Sequence, residues 1–213
     1  MKRTTSSFLA VIAWICLTAV CRAQEFSADV VYVAPGQAAV ASGKPPAPIH
    51  QPSKLFVSES KMRLETRGLT GTVLLVSSED HTTVALFPSH KAYQPLSAAP
   101  SEYFRVQDPE NACPDWQNAA AWKMTCEKAG TEVVDGRQTV KYVNKTPTLA
   151  ASTNAIWIDP TLKFVVKWEG RDAAAELHNI TKEEKMSAAL FEVPEGYSLL
   201  KPKKKGPKAP SPK

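Results

Sequence analysis

The residues through which this chain could do chemistry are its thiols, imidazoles, paired carboxylates and aromatic rings. The four Cys stand at 16, 21, 113 and 126, and the four His at 50, 81, 90 and 178. No His or further Cys pair lies at metal-ligand spacing around Cys113 and Cys126. His50 sits in a Pro-rich stretch, His81 follows Glu79-Asp80, and His90 comes two residues after Pro88. These read as surface or turn histidines, so neither a metal nor a cofactor is expected. The carboxylate pairs Glu79/Asp80 and Glu183/Glu184 are immediate neighbours in sequence. General acid–base catalysis needs two environments that drive the pKa values apart, and adjacent solvated carboxylates offer one. G-x-S-x-G, H-E-x-x-H, C-x-x-C, the P-loop and G-x-G-x-x-G are all absent from the sequence. Each of those motifs encodes a fixed local geometry. The expectation is a protein that is not an enzyme.

What remains is apolar. Phe56, Phe87, Tyr93, Trp122, Tyr142, Trp157, Phe164 and Trp168 are the candidate lining of an apolar cavity. An ordinary core uses the same residue types, and sequence does not separate the two. A cavity of this kind needs no catalytic group, because each fully buried methylene of a ligand contributes about 0.8 kcal/mol.

The first segment reads as an address. Lys2 and Arg3 precede a 13-residue apolar run, Phe8 to Val20, and Cys21 and Ala23 stand where a signal peptidase would cut before Gln24. This is a secretory leader pattern over residues 1–23, too short for a bilayer span of about 20 residues. Acylation of Cys21 is the alternative, but Val20 stands where a lipobox carries a small residue. Export, with the bacterial periplasm as its destination or secretion otherwise, leaves only Cys113 and Cys126. Two thiols in an oxidising compartment read as one disulfide; two unpaired buried thiols are the other reading.

The whole chain of 213 residues carries a net charge of +5. Its two ends supply all of that excess. Residues 201–213, KPKKKGPKAPSPK, hold six Lys, four Pro and no acid. A stretch with nothing to bury reads as a disordered tail. It is either a solvated end or a contact for an anionic envelope surface. Residues 24–200 carry 17 Lys+Arg and 21 Asp+Glu, a net −4. An acidic body, and a tail with no aromatic residue among its lysines, argue against nucleic acid.

The elements that would position the aromatics are mostly strands. Residues 34–52 carry five Pro and two Gly and read as a loop. Strand character runs through Phe26–Val33, Lys54–Ser58, Lys61–Thr66, Thr72–Ser77, Thr82–Phe87, Thr131–Val134, Thr139–Asn144, Ala155–Ile158, Leu162–Glu169 and Ala174–Thr181. The joints are short, with Asp135-Gly136 and Asp159-Pro160 as turns, so an antiparallel meander of about ten strands is expected and parallel crossovers are not. Leu162, Phe164, Val166 and Trp168 alternate with Lys163 and Lys167, the pattern of a sheet with one apolar and one wet face. Ser101–Val106 and Asp115–Met124 read as helices, the second capped by Asp115, and would cover the apolar face. Ser187–Phe191 reads as a short helical turn.

The order FSADVVY, KLFVSESKMRLET, VALFPSHKAYQPL, a Cys, GTEVVDGRQTVKY, AIWIDPTLKFVVKWE, ELHNI and LFEVPEGY resembles the LolA/LolB-like superfamily of exported bacterial proteins. The likeness is closest to the branch with a strand ending in W-x-D and a terminal F-x-V-P-x-G-Y, and it spans about residues 25–200. It implies a mainly β (α+β) domain: a large antiparallel twisted sheet forming an open or half β-barrel, with helices plugging the concave face. It also implies a concavity that holds acyl chains of lipoproteins or other amphiphiles. The motif residues Trp157-Ile158-Asp159 and Phe191-Glu192-Val193-Pro194 read as structural. The expected function is therefore non-enzymatic binding of a lipid, acyl chain or lipoprotein. The alternative is a protein-interaction module with a filled core, engaging a partner through an edge strand or the basic tail.

Overall fold

The computed structural model describes residues 24–33, 51–67, 71–96, 105–119, 124–145, 153–170, 174–183 and 185–200. The expected leader, residues 34–50 of the Pro-rich segment, the basic tail and Trp122 lie outside them. Five strands follow one another after the first: β1 (Glu25–Val33), β2 (Ser53–Val57), β3 (Lys61–Glu65), β4 (Val73–Ser77), β5 (Thr82–Phe87) and β6 (Ala92–Leu96). A short helix, α1 (Cys113–Ala119), leads into a second run: β7 (Cys126–Val134), β8 (Arg137–Asn144), β9 (Thr153–Asp159), β10 (Phe164–Gly170) and β11 (Ala174–Glu183). A 3-10 turn, Ala188–Phe191, and the two-residue strand β12 (Ser198–Leu199) complete the described chain.

All twelve strands join one sheet in the order β12-β6-β5-β4-β3-β2-β1-β11-β10-β9-β8-β7. Two antiparallel meanders, β2–β6 and β7–β11, are thus stitched together by β1, which pairs with β2 on one side and β11 on the other. The two ends of the order do not pair, so the sheet is open. At Asp135 (φ 45°) and Gly136 (φ 73°) the backbone is left-handed at both positions. That is the conformation of a tight two-residue hairpin between β7 and β8, which an Asp-Gly pair favours.

Several expectations are corrected. The chain has twelve strands among the described residues rather than ten, and β12 pairs with β6 in parallel. Pro95 inside β6, and the two-residue length of β12, hid both from a pattern reading. The strand read as Thr131–Val134 begins at Cys126. Its residues 127–133 are all exposed, so no apolar alternation marks them. Residues 101–104 lie outside the described chain; Arg105 and Val106, read as helical, are extended, with Arg105 bridging Phe164. The Asp115–Met124 helix begins two residues earlier, at Cys113; residues 120–123 of it lie outside the described residues, and Met124 is not helical. Asp115 is not the cap but sits in the first turn, where its carboxylate accepts a hydrogen bond from the Gln107 amide at 2.8 Å. Lys167, assigned to the wet face, is 9% exposed. A bulge between Val165 and Lys167 breaks the two-residue period there.

Scale explains how little of the sheet α1 can cover. Seven helical residues extend about 10 Å, whereas twelve strands side by side span roughly 50 Å. Among the described residues, α1 serves only the β8–β9 end, where Trp116 and Ala112 pack with Val140, Tyr142, Ile156 and Ile158. The full pair of covering helices is not found there.

Candidate functional site

Register decides which aromatic rings can share a surface, because directly paired residues project from the same face. Tyr142 pairs with Ile156, Ile156 with Trp168, Trp168 with Ala175, and Ala175 with Tyr32. These lie on the face of Phe26, Ala28 and Val30, the alternate positions of β1. Tyr32 and Trp168 meet edge to face at 6.3 Å between ring centroids. Phe164 meets Phe26 in the same manner at 5.3 Å. Phe87, half-buried opposite Ala92, also falls on this face. Phe56 and Tyr93 are on the other face, whereas Trp157 is buried in the same cluster as Phe26 and Phe164, with Trp168 packed against it. Phe56 pairs with Ser27, Tyr93 joins Leu86, Val73 and Tyr197 in a separate cluster, and Trp157 pairs with Lys141 and Lys167. The seven described candidates are therefore not brought together in one cavity. Phe26, fully buried at the centre of the main cluster, was not among them.

Arg105 was also missed, and it organises one end of the Phe26 face. Its guanidinium donates to the carbonyls of Gln24 (3.0 Å), Ser58 (2.9 Å) and Leu162 (2.8 Å) and lies 6.0 Å and 5.9 Å from the Phe26 and Phe164 ring centroids. Those carbonyls flank β1, β2 and β10, so a single planar cation ties three strand ends together. Arg suits this because its donors are fixed in a fork and its plane stacks on rings. Nothing in a sequence marks a lone Arg for such a role. From there the chain crosses to α1, where the Tyr142 hydroxyl donates to the Pro109 carbonyl (2.9 Å) and accepts from the Ala112 amide (3.2 Å). Cys113 and Cys126 are bridged, with Cα atoms 5.4 Å apart, so α1 is fastened to the start of β7.

A polar row crosses the sheet at Trp157. Lys141, Trp157, Lys167 and Glu176 pair successively across β8, β9, β10 and β11. Both ammonium groups lie 4.7 Å from the fully buried Trp157 ring. The electron-rich faces of a Trp ring attract cations, by about 0.5–2 kcal/mol per contact. Glu132 closes the row, accepting from Trp157 Nε1 and from Lys141 Nζ, each at 2.7 Å. Burial alone would raise the Glu132 pKa; the hydrogen bonds from Lys141 and Trp157 outweigh it and hold the carboxyl below its usual range. His178 lies between Asp135 (3.2 Å) and Glu176 (3.4 Å). The Trp-x-Asp motif is structural as read. Asp159 accepts from the amides of Thr161 and Leu162 and pairs with Arg137, fixing the turn into β10.

The carboxylates of this row are thus committed to cations and amides. Among the described residues no three His, Cys, Asp or Glu are grouped to hold a metal ion. A recess of about 100 Å³ opens between Leu75, Val84, Phe191 and Val193, with Lys61, Asp80 and Thr82 at its rim. It is too small for a drug-sized ligand, whose sites run from about 300 Å³ upward. The larger feature is the apolar Phe26 face itself. Across β2 to β5 it continues as two rows, Leu55–Leu64–Leu74–Ala85 and Val57–Met62–Val76–Thr83.

No protein-family model and no curated protein matches the sequence. Solved structures do match. An uncharacterized conserved protein from Thermus thermophilus is 9% identical, with a TM-score of 0.50, the match covering 84% of this chain and 91% of that one. PNGF-II is 12% identical with a TM-score of 0.51, but the match covers only 31% of its length and 84% of this chain. A LolA superfamily protein from Nitrosomonas europaea is 9% identical with a TM-score of 0.34, over 80% of this chain and 90% of that one. At these identities the likeness is one of fold. It is carried by the first two matches.

Proposed function

We propose that this chain is an exported, non-enzymatic binding protein whose ligand is an amphiphile: a lipid, an acyl chain or the acylated part of a lipoprotein. The observation that supports it is the apolar face running from Phe26, Ala28 and Val30 through the paired rows of β2 to β5. Such a face offers an acyl chain many contacts among buried apolar side chains, with Arg105 as the charge at one end. At about 0.8 kcal/mol per buried methylene, a 14-carbon chain gains roughly 11 kcal/mol before ordering costs. That leaves room for micromolar binding without a catalytic or ionic anchor. Export is supported by the leader pattern of residues 1–23 and by the Cys113–Cys126 bridge, since disulfides persist in oxidising compartments and are rare in reducing ones. The test is saturable binding of a fluorescent fatty acid to the purified protein, together with native mass spectrometry of protein recovered from its own envelope.

A second reading rests on β7. It is an end strand of nine residues, exposed over residues 127–133, with a bulge at Gly130. An exposed edge of that length can accept a strand from a partner protein, although charge and a bulge are also how edges resist pairing. If this reading holds, Val133→Lys abolishes capture of an envelope protein and leaves fatty-acid binding unaltered.

A further inference from the structure

One polar side chain interrupts the apolar face. Phe26, Val57, Met62, Val76, Thr83 and Leu96 pair successively across β1 to β6 and form a single row on that face. The first five are buried, and the row reaches solvent at Leu96, which is 37% exposed. Thr83 is 2% exposed, and among the described residues its hydroxyl has no hydrogen-bond partner. Its cross-strand neighbours Val76 and Leu96, and Ala85 two residues on, carry no side-chain donor or acceptor. Valine has nearly the same outline and suits a strand equally well, so neither packing nor strand preference accounts for a hydroxyl here. A buried hydroxyl left unpaired lowers stability, and its presence in a folded protein calls for a partner from elsewhere.

We propose that the Thr83 hydroxyl is the polar anchor of the amphiphile site and selects ligands that carry an acyl carbonyl or carboxylate. It donates to that oxygen, while the alkyl chain lies along Val76, Met62 and Val57 toward Phe26. From β5 to β1 the row crosses four strand spacings, about 19 Å, room for an extended 14-carbon chain. This rests on the amphiphile reading and adds to it which end of the ligand lies where. At the Phe26 end, the Arg105 guanidinium already donates to the carbonyls of Gln24, Ser58 and Leu162. The head group is therefore assigned to the other end, where the row opens beside Leu96 and the exposed Gln94, which pairs with Ala85 on the same face. A pure hydrocarbon makes the apolar contacts but leaves the hydroxyl unpaired, so the site discriminates by head group.

The test compares three fluorescent probes on the purified protein and on its Thr83→Val variant: parinaric acid, its methyl ester, and diphenylhexatriene, a hydrocarbon without oxygen. The valine variant should bind the acid about ten-fold more weakly and bind diphenylhexatriene as well as the parent does. Thr83→Ser, which keeps the hydroxyl, should retain the preference for the acid over the hydrocarbon. A parallel loss for the methyl ester identifies the acyl carbonyl, and hence ester-linked chains, as the group recognised; a loss confined to the acid identifies a free carboxylate. The urea midpoint of the valine variant should rise as its acid affinity falls, a pairing of signs that a purely structural threonine would not give. Undiminished acid binding by Thr83→Val overturns the proposal, and so does an equal loss of acid, ester and hydrocarbon. A lowered urea midpoint overturns it too, since the hydroxyl would then be satisfied without ligand. If the parent binds none of the three probes, the amphiphile reading fails and this assignment with it. If the parent binds all three and the variant matches it, only the role of Thr83 fails.

Discussion

At the residue scale, Trp157 shows how one side chain fixes its neighbours. It joins Lys141, Lys167 and Glu132 in a polar row that the two-residue period of β10 could not reveal, because a bulge shifts Lys167 onto the ring. Glu132 has a folded-state pKa below its unfolded one. Its contribution is therefore complete above the ordinary glutamate range and is lost as pH falls through the lowered value. Glu132→Gln should destabilise the protein by about 0.5–1 kcal/mol at neutral pH, a small figure because the carboxylate is partly exposed. In urea melts the gap to wild type should close in acid; a gap that persists below the carboxylate range would contradict the assignment. Thr83 presents the opposite case. It is 2% exposed, and among the described residues its hydroxyl finds no hydrogen-bond partner. An unsatisfied buried hydroxyl costs about 1–3 kcal/mol. Thr83→Val, of nearly the same shape, should raise the urea midpoint, by about 1 kcal/mol in stability; a lowered midpoint would show that the hydroxyl is satisfied in solution.

Elements were legible where local chemistry alone sets them. The Asp135-Gly136 hairpin, the Trp-x-Asp turn and the alternating strands β3, β5 and β8 follow from turn residues and period. β6, β12 and the first half of β7 depend on partners distant in sequence, and their own residues carry no alternation. Arg105 was unreadable for the same reason: its acceptors lie 81, 47 and 57 residues away. The two thiols were legible as a pair because the other two Cys fall in the expected leader, and the bridge joins α1 to β7. With the two Cys 13 residues apart, closing the loop contributes about 3 kcal/mol in the chain-entropy model. Cys113→Ser with Cys126→Ser should therefore lower stability by about that amount. Amide exchange in α1 should accelerate far more than in β1. Uniform acceleration across the sheet would mean that the bridge holds the whole fold and not the helix.

For the whole molecule, the defining property is an open sheet with an apolar face far wider than the one short helix described on it. The sequence was right about strand type and about an open, mostly antiparallel sheet. It could not tell which face each aromatic ring would take, since that depends on register between strands distant in the chain. Hence Tyr93 and Phe56 were grouped with Tyr142 and Trp168, from which the sheet separates them. The account rests on the Phe26 face taking an amphiphile. Native mass spectrometry of the protein, purified from its own envelope without harsh detergent, tests this most directly. The account predicts a discrete added mass that dissociates as a lipid, on a polypeptide two hydrogens below its reduced mass. A bare polypeptide of that mass, together with no saturable binding of a fluorescent fatty acid, would contradict it.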